Sequence, residues 1–175
     1  ISEKYNYKQD KFKKIKDIIF VGGKIMRNKY PFSKQEGLKD CAAASLQMII
    51  KYYNGYISIE ELNEMLETTK EGTTAFNLVE TAKKIGFEAY GIKISLNDIK
   101  EVNLIFPIIV YTTIDEKYNH FMVIYNIDYK KKKILIADPQ NSIKKMNFEE
   151  FEKIYNEVSI VLYPIKPIIR KNEVS

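Results

Sequence analysis

The stretch QEGLKDCAAASLQM, residues 35–48, decides the fold. Asp40 carries a side chain favoured at a helix N-cap. Cys41 then falls in the first helical turn. Ala42, Ala43, Ala44, Leu46, Met48 and Ile49 continue as small or apolar side chains. A helix with so little polar surface is built to be buried, and Asn54 with Gly55 closes it. The position of the thiol is chemically useful. A free thiol, with a pKa of about 8.5, is a poor nucleophile at neutral pH. Unpaired N–H groups and the macrodipole at a helix N-terminus favour the thiolate. The Asp40 carboxylate opposes the thiolate, and capping is expected to absorb part of its charge. The plainer reading is a lone cysteine acting as a small buried hydrophobe.

The chain has 175 residues, with one Cys, one His and no Trp. A structural zinc site needs about four Cys or His ligands, so no metal is expected. A Cys–His pair needs one of each, and its members are fixed as Cys41 and His120. Hydrophobic residues at 45% and charged residues at 29% suit one ordinary folded domain. The net charge of +5 raises nucleic acid as a partner. No zinc-finger, helix-turn-helix or RNA-binding signature accompanies it, so Lys130–Lys133 reads as a solvated turn and no nucleic acid is expected. No apolar run reaches the roughly 18–20 residues of a membrane span.

Outward from the first helix, Ser58 to Glu61 reads as a capping box opening a second helix through about Leu66. Thr73 or Thr74 caps a third helix, which stops at Gly86. The period then changes. Phe87–Ile94, Pro107–Thr112, His120–Ile127, Ile134–Ala137 and Ser159–Leu162 read as strands. Ser95–Lys100 is a helical turn and Asn147–Ile154 a short helix. Helices first and an antiparallel sheet afterwards give an α+β domain.

His120 opens the strand HFMVIY at a sheet edge, where it can face a cleft. Asp138 follows the strand ILIA, eighteen residues later. If Asp128–Lys133 is the turn of a hairpin, the start of one strand lies beside the end of the other. His120 and Asp138 are then neighbours, and the carboxylate can fix the imidazole tautomer. Taken alone, Asp138 with Pro139 is an ordinary turn start. Acyl chemistry also needs oxyanion donors. The Cys41 backbone N–H is one candidate, and the Gln35 side chain, six residues upstream, is the second.

Together, QEGLKDCAAASLQM (35–48), HFMVI (120–124) and DP (138–139) resemble the motifs of bacteriocin-processing double-glycine leader peptidases. These are papain-like cysteine peptidases fused to the N-terminus of peptidase-containing ABC transporters. GTT (72–74), AKKIGF (82–87) and FEEF (148–151) also resemble that family's middle and closing sections. The resemblance covers about residues 29–165. It implies a papain-like cysteine protease fold, with a helical N-terminal half packed on an antiparallel sheet half. It further implies Cys41 as nucleophile, His120 as base, Asp138 as the group orienting it, and Gln35 with the Cys41 N–H as oxyanion hole. The implied substrate is a secreted peptide or bacteriocin precursor cut after Gly-Gly, its leader docking as an amphipathic helix in a surface groove. The implied partners are the transmembrane and nucleotide-binding domains of an ABC transporter, on the cytoplasmic side of the bacterial membrane. No cofactor is implied for the peptidase, and ATP belongs only to transporter domains. Some members have lost the cysteine and only bind cargo, which leaves a leader-recognition module as the alternative. Ala42 stands where many members carry Gly. The transporter domains are not in the sequence, so an excised domain or a stand-alone peptidase is expected.

Three segments follow: 1–25 as an extension, 26–168 as the peptidase domain, and 169–175 as a tail. Within the extension, Asp10–Phe20 is a basic amphipathic helix candidate ending at Val21, Gly22 and Gly23. Phe12 and Phe20 stand where leaders carry apolar anchors, whereas Asp17 does not fit. Gly22 and Gly23 are therefore a candidate leader-like cleavage site in the chain itself, against the plainer reading of a Gly-Gly turn.

Overall fold

The computed structural model describes residues 29–116 and 118–171. The expected Asp10–Phe20 helix, Gly22 and Gly23 lie outside them. Three helices come first. α1 spans Cys41–Tyr52 and is buried along almost its whole length, as its alanine-rich sequence requires. α2 spans Ile59–Leu66, and its N-cap Ser58 accepts a hydrogen bond from the Glu61 N–H at 3.1 Å. The return half of the expected capping box gives way to another contact: the Glu61 carboxylate pairs with Lys171. α3 spans Ala75–Ile85, capped by Thr74 and ended by Gly86 at φ 125°, a conformation glycine adopts without strain.

A six-stranded antiparallel sheet follows: β1 (Phe87–Lys93), β2 (Ile108–Ile114), β3 (Tyr118–Asp128), β4 (Lys133–Ala137), β5 (Ile143–Asn147) and β6 (Tyr155–Pro164). Its spatial order is β1-β6-β2-β3-β4-β5. α4 (Leu96–Val102) joins β1 to β2, and α5 (Phe148–Ile154) joins β5 to β6. Strand side chains alternate between two cores. Ile109, Phe121, Val123 and Leu162 pack with Leu46, Met48, Leu62 and Leu78 of the first three helices. Ile108, Val110, Met122 and Ile124 pack with Leu96, Ile99 and Phe151 of the last two. The central strands are apolar on both sides because both sides are covered.

Three expectations change. The expected strands leave out residues 143–147, which the structure makes an edge strand, β5, paired with β4 and carrying the exposed Lys144 and Lys145. Edge strands carry lysines that block further pairing, so their pattern is polar where an inner strand would be apolar. β6 begins four residues before the expected Ser159, through Asn156 and a left-handed Glu157. His120 is the third residue of an inner strand and not at an edge.

The C-terminal segment folds back on the end of α1. The Tyr56 N–H donates to the Ile169 carbonyl at 3.1 Å, and the Lys171 N–H donates to the Tyr56 carbonyl at 2.8 Å. Gly55 lies beneath this strap. A Cβ there would sit 2.5 Å from Ile168 Cγ2, 2.8 Å from Ile50 Cγ2 and 2.9 Å from the Ile169 carbonyl oxygen. Gly55→Ala should therefore cost about 1–3 kcal/mol of stability through overpacking. A urea unfolding midpoint equal to that of the unaltered chain would contradict this packing.

Candidate active site

Cys41 opens α1, and α1 is held to β3 where the histidine lies: the Ser45 hydroxyl donates to the Phe121 carbonyl at 3.3 Å. The neighbouring strand fixes the histidine backbone. Thr112 of β2 pairs with His120, and its hydroxyl donates to the His120 carbonyl at 2.8 Å. Beyond β3, Ala137 pairs with Val123, and the register shifts between Ile124 and Asn126. Asp138 thereby emerges beside His120, as the hairpin reading requires.

The side chains meet in a dry place. His120 has no exposed surface, Asp138 is 1% exposed and Cys41 8%. His120 Nε2 lies 2.7 Å from Asp138 Oδ1. A carboxylate only accepts, so Nε2 carries the proton and Nδ1 is the nitrogen left for the thiol. Two more donors complete the carboxylate. The Gln140 N–H reaches Oδ1 at 3.0 Å, and the Asn141 side-chain amide reaches Oδ2 at 2.7 Å. The loop is closed by the Asp138 N–H on the Ser142 carbonyl at 3.0 Å.

These contacts set the charges. Burial pushes the His120 pKa down, but the Asp138 bond and then the Cys41 thiol push it up further, from 6.5 to about 9. Burial pushes the Asp138 carboxyl up, but His120, Asn141 and the Gln140 N–H more than offset this and hold it below the ordinary carboxylate value. Both groups are therefore ionised together at neutral pH. A folded-state histidine pKa above the unfolded value stabilises the fold fully below about pH 6.5. That contribution is lost as pH rises through about 9. The lowered Asp138 contributes above the unfolded carboxylate pKa, and its share is lost as pH falls.

The expectation for Asp40 is corrected. It occupies the N-cap position, yet its side chain makes no capping bond. Oδ2 instead accepts from the Gly37 N–H at 2.7 Å, and Oδ1 from the Asn63 amide at 2.9 Å. The short turn from Gly37 outcompetes the cap, and the first-turn N–H groups of α1 stay unspent by this carboxylate. Gln35 is buried and anchored twice. Its N–H donates to the Pro139 carbonyl at 2.9 Å, next to Asp138. Its side-chain amide donates to the Gly37 carbonyl at 2.9 Å. A primary amide has two N–H donors, so one remains for another acceptor.

Cys41, His120, Asp138 and Gln35 are thus gathered through α1, two strands and two loops. The chemistry this supports is nucleophilic acyl transfer: a thiol, a base with a fixed tautomer, a buried carboxylate and donors at a helix N-terminus. Among the described residues, no cluster of three His, Cys, Asp or Glu side chains could hold a metal ion. Sequence reasoning missed Asn141 and the Gln140 N–H. Asn141 looks like one more turn residue, and only an ionised, buried Asp138 would signal that such donors are needed. It also missed Tyr111 on β2, whose phenol pKa is raised by burial and then by the charge of Cys41.

Residues 29–166 match the Peptidase C39 family. The lactococcin-G-processing and transport ATP-binding protein LagD of Lactococcus lactis subsp. lactis is 33% identical over 130 residues, which are 74% of this chain and 18% of LagD. The peptidase domain of Streptococcus ComA, a bi-functional ABC transporter of a quorum-sensing pathway, superposes with a TM-score of 0.72. Identity there is 32%, covering 77% of this chain and 98% of that one. A double glycine motif protease from an AMS/PCAT transporter, crystallised with its leader peptide, gives a TM-score of 0.70 at 29% identity, covering 79% and 94%. The chain spans less than a fifth of the length of LagD.

The single histidine makes its titration easy to follow. Its ring carbons should report a pKa near 9 by NMR. In Asp138→Asn that value should fall, because the largest raising contact is gone while burial remains. A value near 6.5 in the unaltered chain would contradict the ion pair.

Proposed function

Because the chain belongs to the Peptidase C39 family, a family of cysteine peptidases, we propose that it removes the leader of a secreted peptide precursor by cutting after a Gly-Gly pair. The observation that carries this is the buried His120–Asp138 bond beside the chain's one cysteine at the start of α1. Cys41 Sγ, having already given its proton to His120 Nδ1, attacks the carbonyl of the second glycine. The C–N bond breaks, and His120 passes that proton to the leaving amine. A water, deprotonated by His120, then hydrolyses the thioester and frees the leader. Asp138 keeps the tautomer and stabilises the imidazolium throughout. The Cys41 N–H and the second amide N–H of Gln35 receive the oxyanion. No cofactor takes part in these steps.

The leader needs a docking place, and an apolar groove of about 320 Å³ between α3 and β1 suits it. Phe76, Val79, Ala89 and Tyr90 line it, and Phe76 is 71% exposed. An amphipathic leader helix would cover that ring. LagD and its relatives are processing and transport ATP-binding proteins. Membrane and nucleotide-binding domains of an ABC transporter are the proposed partners, with this domain on the cytoplasmic face and ATP used only by the transport step. Among the described residues no helix is long and apolar enough to cross a membrane.

A synthetic leader–core peptide with a Gly-Gly junction, followed by mass spectrometry, tests the proposal. One cut after the second glycine is expected, and none with Cys41→Ala. Gln35→Ala should lower kcat by about 10²–10³-fold, as loss of one oxyanion donor does. Peptide that binds but stays whole would favour the recognition module instead. Separately, Phe76→Ser should raise KM for the full leader and leave a truncated Gly-Gly peptide unaffected. Equal effects on both peptides would remove Phe76 from leader docking.

A further inference from the structure

We propose that Tyr111 is the residue that restricts the cleavage site to glycine, an inference that rests on the peptidase reading above. The reacting groups are recessed: Cys41 is 8% exposed and His120 not at all. Attack needs the scissile carbonyl about 3–3.5 Å from the sulfur, so the substrate backbone must descend to the thiol. Whatever stands at the rim then decides which side chains can follow it.

Tyr111 stands there. It pairs with Phe121, the residue after His120, and the two ring centroids are 5.0 Å apart. It packs against the same buried cluster that contains Cys41 and Phe121, and after burial the nearby Cys41 is what raises its phenol pKa. The ring is half-buried, with Phe121 against it. Where β2 and β6 shift register, the two extra residues are Asn156 and Glu157 of β6, so β2 runs on regularly through Tyr111. Next to it, Thr112 is held by the His120 carbonyl and Thr113 by Asn156. A stiff aromatic wall, braced by Phe121 and placed beside a recessed thiol, leaves room for backbone but none for a Cβ branch. Glycine alone presents a backbone without a side chain.

The test compares the unaltered enzyme with Tyr111→Phe, Tyr111→Leu and Tyr111→Ala on two peptides. One has the Gly-Gly junction, and the other has Ala as the second residue of the pair. The ratio of kcat/KM for Gly-Gly over Gly-Ala should fall at least about tenfold in Tyr111→Ala, a loss of ~1.4 kcal/mol of discrimination. It should hold in Tyr111→Phe, which keeps the wall. An unchanged ratio in a Tyr111→Ala enzyme that still cuts would overturn the proposal. A second readout needs no cleavage: alkylation of Cys41 by a bulky aryl maleimide relative to iodoacetamide. That relative rate should rise in Tyr111→Leu, which retains apolar contact with Phe121, and an unchanged rate would also overturn the proposal. If the unaltered enzyme leaves both peptides whole while the alkylation ratio still rises, the peptidase reading fails and the wall stands. Neither response would sink both.

Discussion

An imidazolium and a carboxylate sit 2.7 Å apart with almost no access to water, and much of the surrounding structure serves to make that tolerable. Removing two ions from water costs several kcal/mol each even after the protein relaxes. Their mutual attraction offsets this only when the remaining lone pairs are also satisfied. Here the second Asp138 oxygen is met by Asn141, and the first is shared with the Gln140 N–H. The loop after β4 is folded around the carboxylate for this purpose. The same contacts hold the Asp138 pKa down while the His120 pKa stays up, so the charge separation is present before any substrate arrives.

The pair also organises the nucleophile side. Pro139, next to Asp138, accepts the Gln35 N–H, so the loop that carries the oxyanion candidate is anchored on the loop that carries the orienting carboxylate. Gln35 in turn holds Gly37, and Gly37 holds Asp40 immediately before Cys41. A chain of hydrogen bonds therefore runs from the loop after Asp138 through Gln35 and Gly37 to Asp40, the residue before α1. Asp40 looks like an ordinary helix cap in the sequence. Its diversion to Gly37 and Asn63 keeps its charge engaged away from the N–H groups that an oxyanion would use. This is the preorganisation that electrostatic catalysis needs: donors fixed in advance and not already taken.

The legible parts of the chain are those where local chemistry and global fold agree. α1 to α3 follow from caps, apolar faces and terminal glycines, and the β3–β4 hairpin follows from one polar turn between two apolar runs. That hairpin was enough to bring His120 to Asp138 across eighteen residues. The misses share a different cause. β5 is polar because it is an edge, and β6 starts early because Tyr155 still pairs with Thr112 across a bulge formed by Asn156 and the left-handed Glu157. Asn141, only three residues from its partner Asp138, and Tyr111 gain their importance from tertiary packing and not from local pattern. Asn141 becomes necessary once a buried charge exists, and Tyr111 becomes consequential once α1 sets a thiol beside β2.

Burial of the triad and substrate choice are then two sides of one constraint. A charge pair that gains strength from exclusion of water must be covered, and a covered thiol can be reached only by a thin chain. Opening the rim to admit larger side chains would also admit water to His120 and Asp138. Water there would raise the local dielectric and weaken the attraction that holds the imidazolium. On the proposed reading, selectivity for a glycine pair need not be a separate device added to the catalytic site, because Cys41 and His120 are held at depth beside the Tyr111 and Phe121 rings. A relaxed-specificity variant of this fold would have to stabilise its imidazolium by some means other than exclusion of water.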